Sequence, residues 1–229
     1  MKLGVLFSGG KDSTIALHKT AKKHKIECLI TIISKNKESY MFHTPNIDIT
    51  KMQAAALGIP IIKKKTEGTP EEELKDLKDA IATAIAEFKI VGIVTGAIAS
   101  VYQTQRIQRI CDELGIICIN PLWKRNQEGI LREIVEKDYE VIISGIFAYP
   151  LNESWLGKKI TSEIIDQLVL LNKKFYLNVA GEGGEIETTV LDAPLFSKKI
   201  KIIDHRIIAK NNSGVFTISK AHLISKKTK

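Results

Sequence analysis

Short apolar runs alternate with longer amphipathic segments through the first half of the chain. The apolar runs predict strands at 3–7, 27–33, 59–64, 90–95 and 116–119, and the amphipathic segments predict helices at 11–24, 47–57, 70–88 and 100–114. The start of the helix at 70–88 is well marked, since Thr69 suits the N-cap and Pro70 the first helical position. Alternation at this spacing indicates an α/β fold, a doubly wound and mostly parallel sheet with helices on both faces.

The pattern changes after Asn120-Pro121, where the regular alternation of strand and helix ends. We predict helices at 126–136 and 161–173, a strand at 140–147, and half-buried strands at 199–203 and 215–218 on either side of a turn at 210–214. The sequence therefore predicts two domains, an α/β domain over residues 1–121 and a smaller C-terminal α+β domain over residues 122–229.

The composition is that of a globular protein, with 229 residues of which 44% are hydrophobic. No signal-peptide pattern opens the chain and no apolar stretch approaches the roughly 18 residues of a membrane span, so we expect a cytoplasmic protein without a membrane partner. Cys28, Cys111 and Cys118 lie in apolar segments without C-x-x-C spacing, which favours buried hydrophobic roles. The net charge of +8 comes from lysines scattered over helix faces and the C-terminal tail, so a nucleic-acid partner is not favoured, and a homo-oligomer is left open.

The segment Ser8-Gly9-Gly10-Lys11-Asp12-Ser13 joins the first predicted strand to the first predicted helix. Backbone N–H groups of such a Gly-rich turn and helix N-terminus point at one anion, and the hydroxyls of Ser8 and Ser13 add donors. Asp12 can cap the helix or hold a magnesium ion. The Walker A pattern is absent, and the alternative is a tight turn that binds nothing. The hexapeptide resembles the PP-loop of N-type ATP pyrophosphatases, which split ATP into AMP and pyrophosphate while adenylating a substrate.

A Gly- and Glu-rich segment from Gly181 to Thr188 is the second candidate site. If residues 185–188 are extended, Glu185 and Glu187 point to the same face and form a carboxylate pair. Such a pair can hold magnesium, raise the pKa of one carboxyl, or bind a cation. An acidic surface hairpin is the alternative.

A third segment, from Gly96 to Arg106, begins where the fourth predicted strand ends. Parallel strands present their carboxyl ends to one crevice, so the loops at Ser8 and Gly96 are expected to converge. Tyr102 and Arg106 are four residues apart and share a helix face, with Gln103 beside them. An arginine here can pair with a phosphate or a substrate carboxylate, and a solvated amphipathic helix is the alternative.

Together these segments resemble the diphthine–ammonia ligase family of N-type ATP pyrophosphatases, and the resemblance runs through Pro121-Leu122-Trp123 and Arg125-Asn126-Gln127-Glu128. The PP-loop is common to the superfamily, whereas the Gly181 to Thr188 segment is specific to this family, whose members often carry an aromatic residue where this chain has Ile186. The resemblance implies a fold of the HUP/PP-loop type, with ATP and Mg²⁺ as ligands. It also implies that ATP adenylates the carboxylate of diphthine on translation elongation factor 2, after which ammonia forms the amide and AMP leaves.

The candidate residues divide into three groups by expected role. We assign ATP binding to Ser8, Gly9, Gly10, Lys11, Asp12, Ser13, Gly96 and His43; catalysis to Asp12, Glu185 and Glu187, with Asp12 also the magnesium ligand; and substrate binding to Tyr102, Gln103, Arg106, Trp123 and Glu182. The domain over 1–121 is then the nucleotide-binding domain, and the domain over 122–229 recognises the substrate.

The reaction needs a nitrogen donor and a site for a quaternary cation, and both needs limit which residues can serve. No cysteine follows Met1 or occupies a G-x-C-x-G elbow, so free ammonium rather than glutamine is the expected nitrogen donor. Diphthine carries a trimethylammonium group beside its carboxylate, and aromatic rings and carboxylates bind such cations. Tyr102, Trp123 and the glutamates of the Gly/Glu-rich segment are the candidates, although Trp123 also suits a core position. His43, in the loop after the second strand, is assigned to the nucleotide, with a purely structural histidine as the alternative.

Two other functions fit parts of the sequence. A PP-loop tRNA-modifying enzyme, for thiolation or lysidine-type ligation, suits the positive charge, but thiolating relatives carry catalytic cysteines or C-x-x-C pairs that this chain lacks. A nucleotide-binding sensor would leave the Gly/Glu-rich segment without a role.

Overall fold

The computed structural model describes residues 1–36 and 45–226, which divide into two compact units. The first unit comprises residues 1–8 and 12–123, and the second comprises residues 9–11 and the chain from Lys124 onward. The short segment Gly9–Lys11 therefore groups with the C-terminal half, although it lies near the N-terminus.

The first unit is an all-parallel sheet of five strands in the order β3-β2-β1-β4-β5, flanked by helices as the sequence predicted. Its elements, in chain order, are β1 (Lys2–Leu6), α1 (Lys11–Ala21), β2 (Lys25–Ser34), α2 (Thr50–Leu57), β3 (Ile61–Thr66), α3 (Pro70–Phe88), β4 (Gly92–Val94), α4 (Val101–Glu113) and β5 (Ile117–Ile119). The first residue of α1, Lys11, groups with the second unit. A 3-10 turn over Ile47–Ile49 precedes α2, so the helix predicted at 47–57 consists of two pieces.

The strand order reverses between β1 and β4, which are neighbours in the sheet. Because crossovers between parallel strands are right-handed, helices on the two sides of this reversal cover opposite faces. One face carries a core that α3 and α4 share with β2 and β4, and that includes Ile30, Leu77, Ile93 and Ile107. Ligands of such sheets bind at the carboxyl ends of the strands where the order reverses. The loops after β1 and β4 lie at this place.

Helix α3 begins and ends at the predicted residues. Thr69 has the extended backbone of an N-cap, but its hydroxyl donates to the Glu72 carboxylate at 2.7 Å instead of accepting a backbone N–H. The glutamates of the first turn lie at the positive end of the helix dipole and stabilise the helix there.

The second unit is an antiparallel sheet of four strands in the order β7-β6-β9-β8, with two helices. Its elements are α5 (Gln127–Glu136), β6 (Glu140–Ile146), α6 (Ser162–Phe175), β7 (Ile186–Asp192), β8 (Lys198–Lys210) and β9 (Ser213–Ser225). Helices α5 and α6 pack against each other, and α5 also contacts β6, burying Ile130, Ile134, Val141 and Ile165 completely.

Strands β8 and β9 form a hairpin of two 13-residue strands, much longer than the predicted strands at 199–203 and 215–218. The prediction was too short because most side chains of the hairpin are exposed or half-buried, so the apolar alternation marks only part of each strand. The predicted turn between them is confirmed, with Asn211 at φ 55°.

No helix in the described part of the chain combines the length and apolarity needed to cross a membrane.

Candidate active site

The predicted phosphate-binding loop, Ser8 to Ser13, connects the end of β1 to the start of α1. Gly9 has φ 80°, a left-handed conformation that glycine adopts without strain. The Ser8 and Ser13 hydroxyls lie 3.3 Å apart and form a hydrogen bond across the loop. The two hydroxyls therefore lie together at the start of α1, where the N-terminus of a helix favours an anion.

The loop after β4 packs directly on the first turn of α1. A Cβ atom at Gly96 would lie 2.7 Å from both the Asp12 carbonyl carbon and the Ser13 nitrogen, closer than any side chain allows. Thr95 holds this loop in place, because its hydroxyl donates to the Asn120 side chain and accepts the Ala97 N–H at 3.2 Å. The loops after β1 and β4 therefore meet, as the sheet order indicates.

Strand β7 is hydrogen-bonded to the loop segment Gly9–Lys11, which belongs to the same unit as the strand. The Lys11 N–H donates to the Thr188 hydroxyl at 3.1 Å, and the Val190 N–H donates to the Gly9 carbonyl at 3.1 Å. Lys11 and Thr188 are only 3% and 4% exposed, so these contacts are shielded from water. Thr188 is the last residue of the Gly/Glu-rich segment, so this segment is bonded to the loop at Lys11.

Sequence reasoning missed this contact. The signal available was a pair of β-branched polar residues, Thr188 and Thr189, directly after the glutamates. Both are buried, and buried hydroxyls need hydrogen-bond partners. The partner of Thr188 lies 177 residues away, which no local pattern reveals.

Glu185 serves as the centre of a tight turn before β7. One carboxylate oxygen accepts from the Asn178 backbone N–H at 3.1 Å and from the Asn178 side-chain amide at 2.7 Å, and the other accepts from the Gly183 N–H at 2.8 Å. Gln127 supports the same turn, donating to the Asn178 side chain at 3.2 Å and accepting the Ala180 N–H at 2.9 Å. Glu185 therefore braces the turn with both of its oxygens.

Glu187 has a different setting from Glu185. It lies within β7, half-buried, directly opposite Gly145 of β6. Glu182 is half-buried at the tip of the turn. Strand β7 begins at Ile186, and the Glu185 carboxylate is bonded within its own turn, whereas Glu187 lies in the strand.

Tyr102, Gln103 and Arg106 lie in the first two turns of α4. The Arg106 guanidinium stacks on the Tyr102 ring, 3.4 Å from its centre, and one of its N–H groups donates to the Tyr102 carbonyl at 3.3 Å. The Ser100 hydroxyl caps the helix by accepting the Gln103 N–H at 3.3 Å. The stack holds the guanidinium in a defined direction on the exposed side of the helix.

The two tryptophans and His43 lie outside the segments described so far. Trp123 is half-buried in the turn after β5, where its N–H donates to the Asn120 carbonyl at 3.1 Å, so it is not a fully buried core residue. Trp155 is 8% exposed and lies in a 3-10 turn of the second unit. His43 lies outside the described residues.

The cysteines have the environment of hydrophobic residues. Cys28 and Cys111 are completely buried, and burial raises the pKa of the Cys28 thiol to about 12. Cys118 is half-buried, contrary to the prediction that all three are buried, because β5 is the edge strand of its sheet. Among the residues that the structure describes, no cluster of three or more His, Cys, Asp or Glu side chains is arranged to hold a metal ion.

Comparison with known proteins decides the family. The sequence model of the diphthamide synthase N-terminal domain matches residues 1–118, and that of the C-terminal domain matches residues 126–224. The chain belongs to the diphthamide synthase family. The phosphate-binding loop lies in its N-terminal domain match, and the Gly/Glu-rich segment lies in its C-terminal domain match.

Relatives across the diphthamide synthase family cover most of this chain. The diphthine–ammonia ligase of Rattus norvegicus is 33% identical over 88% of this chain and 83% of its own length, and that of Homo sapiens is 31% identical over 94% and 88%. The diphthine–ammonia ligase of Schizosaccharomyces pombe is 32% identical over 94% of this chain, which spans only 38% of that longer protein. A solved structure described as a predicted subunit of tRNA methyltransferase from Methanocaldococcus jannaschii aligns with 85% of this chain and 98% of its own, at a TM-score of 0.44 and 18% identity.

Proposed function

We propose that this chain is a ligase that uses ATP and ammonium to amidate diphthine on translation elongation factor 2, through an acyl-adenylate. Family membership and the names of the relatives support the amidation of diphthine with ATP. The observation that carries the proposal is the bond between the Lys11 N–H and Thr188, because it joins the phosphate-binding loop to the family-specific segment. The reaction belongs in the cytoplasm, where elongation factor 2 works.

The proposed reaction has two steps. The diphthine carboxylate attacks the α-phosphorus of ATP, and pyrophosphate leaves while the loop's N–H and hydroxyl donors stabilise its charge. Ammonium first gives one proton to a carboxylate, and the ammonia so formed attacks the acyl carbon. The bond from the acyl carbon to the AMP oxygen breaks, AMP leaves with the electron pair, and the nitrogen releases a second proton to the AMP phosphate or to water as the amide forms. Because Glu185 braces its turn with both oxygens, the proposal assigns cation binding and proton transfer to Glu187 and Glu182.

Magnesium is part of the proposal. Mg²⁺ is usually held by one or two carboxylates together with substrate phosphates, and Asp12 offers a carboxylate in the first turn of α1, beside the loop. When bound, the ion would neutralise phosphate charge during transfer.

The magnesium assignment can be tested by removing the metal or its proposed ligand. Pyrophosphate release should stop on addition of EDTA and return with MgCl₂, and Asp12→Ala should prevent AMP formation while the fold survives. Undiminished release without divalent metal contradicts this assignment.

The decisive experiment supplies ATP, ammonium and diphthine-bearing elongation factor 2 to the protein and follows the carboxyl-to-amide change by mass spectrometry. Amide formation with equimolar AMP and pyrophosphate supports the proposal. Glutamine in place of ammonium should give no amide. AMP formation that depends on tRNA and not on the diphthine-bearing protein would instead favour a tRNA-modifying enzyme.

A further inference from the structure

An exposed aromatic residue, Phe147, follows β6 directly and borders the Gly/Glu-rich segment. Its N–H donates to the Glu185 carbonyl at 2.9 Å, which extends the pairing of β6 and β7 by one step. The Phe147 side chain is 39% exposed, whereas the residues of β6 just before it are buried. Such exposure is unusual for a phenylalanine. None of the roles assigned above uses this ring.

The Phe147 ring lies beside Glu187 over a glycine. A Cβ atom at Gly145 would stand 2.8 Å from Phe147 Cε2 and 3.0 Å from Glu187 Cβ, so the ring and the glutamate side chain border the same point. Gly145 and Glu187 are directly opposite each other in the two strands. Only a glycine leaves room for the ring here.

Both side chains belong to the same face of the β6–β7 pair. Side chains alternate along a strand, and Ile146 and Ile186, which pair with each other, are buried on the opposite face. Phe147 and Glu187 therefore lie on the other face, where Phe147 is 39% exposed and Glu187 is half-buried. The sheet presents an aromatic ring and a carboxylate next to each other, with water access.

A ring beside a carboxylate is suited to a cation that cannot donate hydrogen bonds. A quaternary ammonium group has no N–H, so amide or hydroxyl acceptors gain little from it, whereas the ring attracts it through its quadrupole and the carboxylate through its charge. We propose that Phe147 and Glu187 together bind the trimethylammonium group of diphthine and make the enzyme selective for the methylated substrate. This inference rests on the function proposed above.

The location suits a substrate whose cation and reacting carboxylate are adjacent. Glu187 is followed by Thr188, which accepts the Lys11 N–H of the phosphate-binding loop. A trimethylammonium group held by Phe147 and Glu187 brings its neighbouring carboxylate to the strand that this loop contacts. Strand β7 therefore contributes both to the binding of the methylated cation and to the position of the carboxylate that is adenylated.

The test compares Phe147→Leu, Phe147→Tyr and Tyr176→Leu with the unmodified protein. Tyr176 is 89% exposed and matches Phe147 as an accessible aromatic residue of the same unit. Phe147→Leu should raise the KM for diphthine-bearing elongation factor 2 about tenfold, since the cation loses its ring. Phe147→Tyr should stay within about twofold of the unmodified protein, because the ring is kept. The KM for ATP should not change in any variant, and Tyr176→Leu should change neither KM.

A second measurement does not depend on any variant. Tetramethylammonium chloride should inhibit amidation competitively against the diphthine-bearing protein, at concentrations where sodium chloride has no effect, and less strongly in Phe147→Leu. An unchanged KM in Phe147→Leu, or no competition by tetramethylammonium in the unmodified protein, overturns the inference. Failure of the proposed function gives a different result, because the unmodified protein then forms no amide at all.

Discussion

Two glutamates of one short segment have different structural roles. Glu185 accepts three hydrogen bonds within its turn, whereas Glu187 lies in a strand opposite a glycine. A carboxylate that accepts several N–H groups is fixed in position. Both oxygens of Glu185 are bonded within its own turn, so this side chain supports the loop.

Glu185→Gln should lower the free energy of unfolding by about 1–3 kcal/mol, because the amide group turns an N–H toward the Gly183 or Asn178 donors. Glu187→Gln is the matched control and should leave that free energy within about 0.5 kcal/mol, while amide formation is lost. Urea unfolding and the amidation assay measure the two effects. Equal stability of the two variants would show that the Glu185 hydrogen bonds do not support the turn.

Arg106 is a single side chain whose geometry can be tested. Arg106→Lys keeps the charge but loses the planar fork and the stack on Tyr102, so we expect kcat/KM to fall about tenfold or more. Arg109→Lys in the same helix is the control, since Arg109 is 82% exposed and pairs with Glu113. If both variants retain full activity, Arg106 is an ordinary surface residue of α4.

At the scale of elements, two loop contacts hold the phosphate-binding loop in its shape. The loop after β4 packs on the start of α1 at Gly96, and β7 bonds to the loop at Lys11 and Gly9. Each contact joins elements that are distant in the sequence. Loss of either should therefore affect ATP binding before it affects the whole fold.

Gly96→Ala should overpack the first contact, since the new methyl group would meet the backbone of Asp12 and Ser13. We expect a loss of about 1–3 kcal/mol in the free energy of unfolding and a higher KM for ATP. Gly129→Ala is the control, because its nearest neighbour would be 3.5 Å away. Thermal unfolding and steady-state kinetics distinguish the two, and an unchanged KM for ATP in Gly96→Ala would contradict the packing argument.

Thr188→Val should leave the buried Lys11 N–H without its acceptor at nearly constant volume. An unsatisfied buried donor costs about 1–3 kcal/mol, so the KM for ATP should rise about tenfold. Thr217→Val, on the exposed side of β9, is the same substitution outside this contact and should have no effect. Isothermal titration with a non-hydrolysable ATP analogue gives the affinities, and equal affinities would rule out a role for Thr188 in shaping the loop.

At the scale of the whole molecule, the positive charge is concentrated in the β8–β9 hairpin. Residues 198–226 contain seven Lys or Arg residues and only one Asp, so this segment contributes most of the chain's net charge of +8. Strand β9 pairs with β6 only at Gly214 and Val215, and β8 is an edge strand. Charged edges of this kind oppose pairing with other chains.

The hairpin should be the least protected part of the second sheet. Beyond Phe216, β9 pairs with β8 and its residues are largely exposed, so its amides should exchange with solvent faster than the buried amides of Val141 to Ile143 in β6. Hydrogen exchange followed by mass spectrometry checks this. Equal protection of the two regions would mean that the hairpin is held by contacts beyond its own ladder.

The sequence by itself determined much of the fold and of the phosphate-binding loop. Strands, helices and turns follow from periodicity, caps and glycines that act within a few residues, and α3 shows how closely such signals can define a helix. The loop from Ser8 to Ser13 was recognisable because its chemistry lies within one continuous segment.

Only the tertiary structure decided which distant residues meet. The bond from Lys11 to Thr188 and the contact of Phe147 with Glu187 over Gly145 depend on strand order and register, which arise from packing of the whole chain. The same packing makes Asn178 the hydrogen-bond partner of Glu185, which the pattern around the glutamates does not indicate. A local pattern fixes where a side chain occurs along an element, but its partners are set by long-range pairing that the pattern does not contain.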